Sequence, residues 1–236
     1  AFDASCDAYA RADARRALCL TWINSASLHG WSGAFERSDE LLARAVAEAE
    51  RLRAGFLTRY AGAVRALVCA WRGAPDAEEA LMAALPGFEA SPRVSYLLLV
   101  FAGGLALERG DVGAAEKRCR EALALPVVTE LRPAATALLA RVFLAKKARA
   151  QAVEVAREAV RLERTTRDLE LTTGVADLAL AEALDACGDQ AAARLALTEA
   201  TARLRALAAH IASPERRARF LGRRSPNARV CELAAA

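Results

Sequence analysis

The sequence is short of most of what would build a sheet or a reactive site. Among its 236 residues isoleucine, the strongest strand former, occurs twice, at Ile23 and Ile211, and aromatic residues make up only 6%. These scarcities exclude an all-β domain and argue against a doubly wound α/β sheet. Glycine at 13 and cysteine at 6 are too few for a collagen-like repeat or a disulfide-stapled scaffold. Histidine is confined to His29 and His210, far apart in the chain. No Gly-x-x-x-x-Gly-Lys-Ser phosphate loop, no Gly-x-Gly-x-x-Gly and no His-Glu-x-x-His occurs. Nor is there a His-Arg-Asp or an Asp-Phe-Gly of the kinase type. The chain is therefore expected not to be an enzyme and to hold no cofactor.

The cysteines, Cys6, Cys19, Cys69, Cys119, Cys187 and Cys231, form no Cys-x-x-Cys pair and are spread evenly. Metal sites need clustered ligands, so zinc is not expected. Small buried apolar fillers in a reducing cytoplasm are expected instead. The first twenty residues lack a continuous apolar stretch, so no signal peptide is read there. The most apolar run, Val94 to Leu107, has 14 residues and is closed by Glu108 and Arg109. A bilayer span needs ~18–20, so this run is read as a helix buried on most sides.

What is present is alanine, at 60 residues, within a hydrophobic share of 55%. Alanine is the best helix former and a poor strand former. With high apolar content and a net charge of only +4, the chain is globular rather than disordered. Of 33 basic residues only Lys117, Lys146 and Lys147 are lysines. Dominance of alanine and arginine fits a GC-rich bacterial genome. The chain opens Ala1-Phe2-Asp3 and its one methionine is Met82, which reads as a piece of a longer or processed protein.

Apolar periodicity predicts ten helices in five pairs. These are Ala8–Leu28 with Glu36–Arg53, Leu57–Trp71 with Ala77–Leu85, Arg93–Glu108 with Ala114–Leu125, Glu130–Ala145 with Ala150–Arg164, and Asp168–Ala186 with Gln190–Ile211. Leu41, Leu42, Ala45, Val46 and Ala49 give the clearest amphipathic stripe. Breaks fall at Gly30-Trp31-Ser32-Gly33, Gly73-Ala74-Pro75, Pro86-Gly87, Gly110-Asp111, Pro126 and Gly188-Asp189. Asp76 and Asp111 are placed to cap the helices that follow them. Glu78-Glu79 and Asp39-Glu40 lie near helix N-termini, where carboxylates offset the dipole.

Small residues in the first turn of each second helix, Ser38, Ala80, Ala115, Ala152 and Ala193, recur at spacings of 42, 35, 37 and 41. The third pair reads Leu99, Ala102, Gly103, Ala106, Gly110-Asp111, Ala115, Cys119, Ala122-Leu123, Pro126. The fifth echoes it with Leu180, Ala181, Leu184, Gly188-Asp189, Ala193, Leu197, Ala200. Gly103 and Ala115 are expected to face each other across a close helix–helix contact, with Leu99 and Phe143 filling space toward the next pair. No such pair can bury its apolar faces alone, so stacking is required. In the second pair Ala80 is followed by Pro86-Gly87 where the pattern asks for continuing helix.

This arrangement resembles the tetratricopeptide repeat (TPR) family, in its longer bacterial form, over about residues 8–211. The resemblance implies an all-α fold: a right-handed α-solenoid of about five antiparallel helical hairpins over residues 1–212, closed by a capping segment at 213–236. The tail, from Ile211 through Phe220-Leu221 to Pro226-Asn227-Ala228-Arg229, is similar to the closing segments of repeat arrays in large bacterial signalling proteins. These include multidomain serine/threonine protein kinases and ATP-dependent transcriptional activators. The function implied is a C-terminal, non-catalytic module for protein–protein interaction or autoregulation in the cytoplasm.

In such arrays the first helix of each pair lines the concave side. That rule assigns to a partner-binding groove Arg65, Arg72, Leu97, Val100, Leu107, Glu108, Arg141, Leu144, Glu182 and Asp185, with Ile23 and Leu178 beside them. The expected ligand is a protein or peptide, such as another domain of the same parent. Chaperone-binding members of the family clamp a terminal carboxylate. Here Ser27 and Cys69 stand where asparagine would be needed, which argues against that ligand. The tail offers an alternative. Residues 213–230 hold Arg216, Arg217, Arg219, Arg223, Arg224 and Arg229 against Glu215 alone, a pattern compatible with nucleic-acid binding. Phe220 and Leu221 among these arginines favour a docked cap with a solvated basic face. No membrane partner is expected.

Overall fold

A computed structural model describes residues 2–127, 131–165, 174–222 and 227–235. These form thirteen helices and, among the described residues, no strand. In chain order they are α1 (Phe2–Arg11), α2 (Arg15–Trp31), α3 (Phe35–Arg51), α4 (Gly55–Arg72), α5 (Ala77–Ala84), α6 (Pro92–Glu108), α7 (Val112–Ala124), α8 (Arg132–Ala145), α9 (Arg149–Thr165), α10 (Val175–Ala186), α11 (Gln190–Ala209), α12 (Pro214–Gly222) and α13 (Asn227–Ala235). The all-α class read from the alanine content is what the chain adopts.

The chain divides into two compact units, Ala1–Gly87 and Phe88–Ala236. In the first, α2 packs on α1, α3 and α4, while α4 also packs on α3 and α5. In the second, each helix packs on its successor from α6 to α13. Helices α6, α8 and α10 also touch one after another, and α13 packs on both α10 and α11.

One closing device ends most of these helices. Residues Asp13, Gly33, Arg53, Gly73, Gly110, Lys147 and Gly188 all take positive φ just past a helix end. In each case the next amide donates back to the carbonyl five residues earlier. The bonds are Ala14 to Tyr9, Ala34 to His29, Ala54 to Ala49, Ala74 to Cys69, Asp111 to Ala106, Ala148 to Phe143 and Asp189 to Leu184, at 2.7–3.0 Å. This is the left-handed C-terminal motif that satisfies orphan carbonyls and turns the chain back on itself. Two of the turns then start a helix with an aspartate cap. Asp111 Oδ1 accepts from the Ala114 amide at 2.9 Å, and Asp189 Oδ1 from Ala192 at 3.1 Å.

Close approach of helices rests on small residues. A Cβ placed on Gly103 would meet Leu138 Cδ2 at 2.8 Å and the Ala115 carbonyl oxygen at 3.5 Å, so Gly103 and Ala115 do face each other. A Cβ on Gly30 would meet Val68 Cγ2 at 2.6 Å. Ser38, Ala115, Ala152 and Ala193 are all buried, and Ser38 Oγ donates to the Ala26 carbonyl at 2.8 Å.

Four expectations need correction. The single helix read over Ala8–Leu28 is two helices, α1 and α2, parted at Asp13. Asp13 tolerates the left-handed region and its carboxylate accepts from Arg15 Nε at 2.6 Å. Ala80 is not the packed residue of α5; Ala77, Glu78 and Leu81 are, because Pro75 and Asp76 lengthen the entry to that helix. Asp76 forms no side-chain cap bond. The helix expected from Asp168 begins at Val175, after Gly174 in the left-handed region. The expected starts at Glu130 and Asp168, like Arg223, Arg224 and Pro226 of the tail, lie outside the described residues.

Two of the five described cysteines are buried. Cys19 Sγ donates to the Ala45 carbonyl at 3.2 Å and Cys119 Sγ to Ala135 at 3.0 Å. Burial pushes both thiols up, Cys119 to about 12. The filler reading fits these two; Cys69 and Cys231 are half-buried and Cys187 is exposed.

A candidate partner-binding cleft

The expected groove residues fall in both units. In the first, Arg65 and Arg72 are exposed on α4. Arg72 turns toward α3: its Nη2 donates to Asp39 Oδ2 at 2.5 Å and its guanidinium sits 5.1 Å from the Phe35 ring centre. Ile23 and Leu178 are fully buried, and Leu97 and Val100 are 8% and 9% exposed, so these four belong to the packed interior. Glu108 is exposed at the end of α6.

The other five converge. Leu107 of α6, Arg141 and Leu144 of α8, and Glu182 and Asp185 of α10 line one cleft of about 700 Å³ in the second unit. The arrangement follows from the order of packing. Helices α6, α8 and α10 are neighbours, and each of these five residues lies in the last two turns of its helix. Ala145 and Ala181 add small apolar surface between them.

Glu182 is the electrostatic centre. Arg141 Nε donates to its Oε2 at 3.0 Å, with the two side chains only 23% and 18% exposed. From α13, Arg229 Nε lies 3.9 Å from Oε1. Arg229 also lies 3.6 Å from Glu232 on its own helix. Two arginines, Arg141 and Arg229, thus face Glu182 from two different helices, with Leu107, Leu144 and Leu233 in the same lining. A pair screened from water to this degree orients both partners more firmly than an exposed one, which contributes only about 0.2–1 kcal/mol.

The rule that first helices line the groove misses part of the wall. Gln190, Ala193, Arg194 and Leu197 of α11 line the cleft, as do Arg229 and Leu233 of α13. Arg229 and Leu233 are four residues apart and so share a helix face, a signal present in the tail once it is taken as helical. Leu233 packs on Ala181, Ala196 and Leu197.

The basic tail is held down at several points. Phe220 and Val230 are fully buried, and Asn227 Nδ2 donates to the Phe220 carbonyl at 3.0 Å. Arg217 Nη2 donates to the Ile211 carbonyl at 3.1 Å, beyond the end of α11. Arg216 remains exposed.

Among the described residues, the lining of the cleft holds no histidine, cysteine, serine, threonine, lysine or tyrosine. Elsewhere His29 sits on α2 in one unit and His210 at the end of α11 in the other. Among the described residues no cluster of three or more His, Cys, Asp or Glu could hold a metal ion, and no helix is long and apolar enough to cross a membrane. Compared with models of known protein families, with curated proteins and with solved structures, the chain gives no match.

Proposed function

We propose that this chain is a non-catalytic protein-interaction module of the tetratricopeptide kind, and that the cleft of its second unit takes an extended acidic and apolar segment of a protein partner. The observation that carries the reading is the convergence of the last turns of α6, α8 and α10 on one cleft with leucine walls and three guanidinium groups. Its volume is within the usual range of a binding site, and it pairs apolar pockets with a few placed polar groups. Successive contacts of α6, α8 and α10, with one turn device closing each, support a stacked-hairpin solenoid. The parent protein would be a larger bacterial signalling protein, such as a serine/threonine kinase, acting in the cytoplasm. The partner would be another of its domains or a separate protein.

Anchorage of Phe220, Arg217, Asn227 and Val230 supports a cap rather than a free nucleic-acid-binding arm. The test is a calorimetric titration with a peptide alternating glutamate and leucine. Arg194→Glu together with Leu144→Asp should weaken binding by about tenfold or more. Equal affinity for wild type and variant would remove the cleft from the function. Tighter, salt-sensitive binding of single-stranded DNA or RNA would replace the reading with the nucleic-acid one.

A further inference from the structure

We infer that the first unit carries a separate docking surface, formed by α2 and α4, for an acidic protein segment bearing aliphatic or aromatic side chains. It uses none of the cleft residues and stands whether or not the cleft binds.

Three observations carry it. The first is charge segregation. Helices α2 and α4 contain Arg15, Arg16, Arg59, Arg65 and Arg72 and not one aspartate or glutamate. Residues 1–87 as a whole hold ten arginines against eleven carboxylates. The positive charge is therefore local to these two helices, not a property of the unit. Arg15 and Arg72 are engaged by Asp13 and Asp39, while Arg16, Arg59 and Arg65 are exposed.

The second is exposed apolar surface on the same helices. Phe56 is 50% exposed, Leu20 38% and Leu28 37%. Phe56 stacks on Tyr60 with ring centres 6.1 Å apart. Among the described residues, three of the five large exposed hydrophobic side chains thus lie on α2 and α4.

The third is register. Tyr60 Oη donates to Asn24 Oδ1 at 3.0 Å, tying α4 to α2. Arg16, Leu20, Asn24 and Leu28 follow at intervals of four along α2, and Phe56 is one turn before Tyr60 on α4. Tight turns at Gly33 and Arg53 reverse the chain twice, so α2 and α4, which pack on each other, run the same way. Leu20 and Phe56 therefore lie on the same side of the Asn24–Tyr60 bridge. Arg16 stands at one end of this strip and Arg59 beside it.

Guanidinium groups flanking exposed leucine and phenylalanine complement carboxylates interleaved with apolar side chains. A nucleic acid fits less well, because exposed Leu20 and Leu28 complement the apolar side chains of a peptide but offer a base nothing to stack on or to hydrogen-bond.

The test is fluorescence anisotropy on the full chain with the cleft disabled by Arg194→Glu and Leu144→Asp, using a labelled fifteen-residue peptide of glutamate, aspartate, leucine and phenylalanine. Its lysine-for-acid counterpart and a single-stranded oligonucleotide serve as comparison probes. The acidic peptide should bind saturably. Phe56→Ala, and separately Arg16→Glu with Arg59→Glu, should each weaken it by about tenfold or more. Leu195→Ser, on the exposed face of α11, should leave affinity unchanged. Arg16 and Arg59 are exposed, so their double variant should melt as the wild type does, while Phe56→Ala, which loses the stack on Tyr60, should melt only slightly lower. No saturable binding, equal binding of the lysine peptide, unaltered affinity in both variants, or tighter binding of the oligonucleotide would each overturn the proposal.

Discussion

Two adjacent glycines in α6 should respond differently to the same substitution. Replacing glycine by alanine inside a helix gains about 1 kcal/mol from propensity alone. At Gly104 nothing lies within 4 Å of the added Cβ, so Gly104→Ala should keep most of that gain. At Gly103 the Cβ would stand 2.8 Å from Leu138 Cδ2 and 3.5 Å from both the Ala115 carbonyl oxygen and Arg118 Cβ. Leu138 is 4% exposed and cannot swing into solvent. Overpacking of this kind costs about 1–3 kcal/mol. Gly103→Ala should therefore be neutral to destabilising by about 2 kcal/mol, leaving the two variants roughly 1–3 kcal/mol apart. Both sites belong to one compact unit, so thermal denaturation reads them on one scale, at about 2–4 °C per kcal/mol. A cycle isolates the cause. With Leu138→Ala in place the obstructing atom is gone, and Gly103→Ala should turn stabilising. The packing argument is wrong if Gly103→Ala raises the melting temperature as much as Gly104→Ala. It is equally wrong if the effect of Gly103→Ala is the same with and without Leu138.

Lys147 ends α8 at φ +62 with an exposed side chain, so Lys147→Gly should relieve left-handed strain and raise stability by about 1 kcal/mol, read by urea denaturation. Asp111→Ala and Asp189→Ala each remove a cap bond and should cost about 0.5–2 kcal/mol, whereas Asp76→Ala, which removes none, should cost far less. A thiol reagent at mildly alkaline pH should label exposed Cys187 in the folded protein and reach Cys19 and Cys119 only on unfolding, since burial holds their thiols protonated; mass spectrometry of native and denatured samples checks the order.

The sequence told helix from strand because alanine is abundant and isoleucine nearly absent, and it told most turns because glycine marks the left-handed position. It failed where another residue does glycine's work without glycine's signature. Asp13 sits in Arg11-Ala12-Asp13-Ala14-Arg15, a run that scores as helix throughout, and the break between α1 and α2 was invisible there. Arg53 and Lys147 take the same geometry, but the apolar stripe changes phase around them and betrays the turn. For the site, periodicity separates the two faces of a helix but not a lined cleft from a buried seam. Leu97 and Val100 share the stripe of Leu107, yet only Leu107, near the end of α6, reaches the cleft. Arg194 and Arg229 escaped because they come from α11 and α13, and nothing in a first-helix rule anticipates a wall supplied by a second helix and a cap.

Glu182 offers the sharpest separation of stability from binding. Its carboxylate holds Arg141 at 3.0 Å and faces Arg229 at 3.9 Å. Glu182→Gln keeps the shape and one acceptor but removes the charge. Arg229 is 52% exposed but Arg141 only 23%, so the loss of stability should be about 1–2 kcal/mol, somewhat more than for an exposed pair. Binding should move the other way. An acidic segment entering the cleft competes with Glu182 for Arg141 and Arg229, and with that competitor neutralised the guanidinium groups are released to the ligand. Affinity for the glutamate–leucine peptide should rise, by about tenfold if the released interaction is worth 1.4 kcal/mol. The gain should shrink with added salt, because it is electrostatic and partly solvated. Melting temperature and calorimetric affinity, measured on the same two proteins, should thus diverge. If affinity falls together with stability, Glu182 is itself a contact for the ligand, and the cleft selects a cationic segment rather than an acidic one.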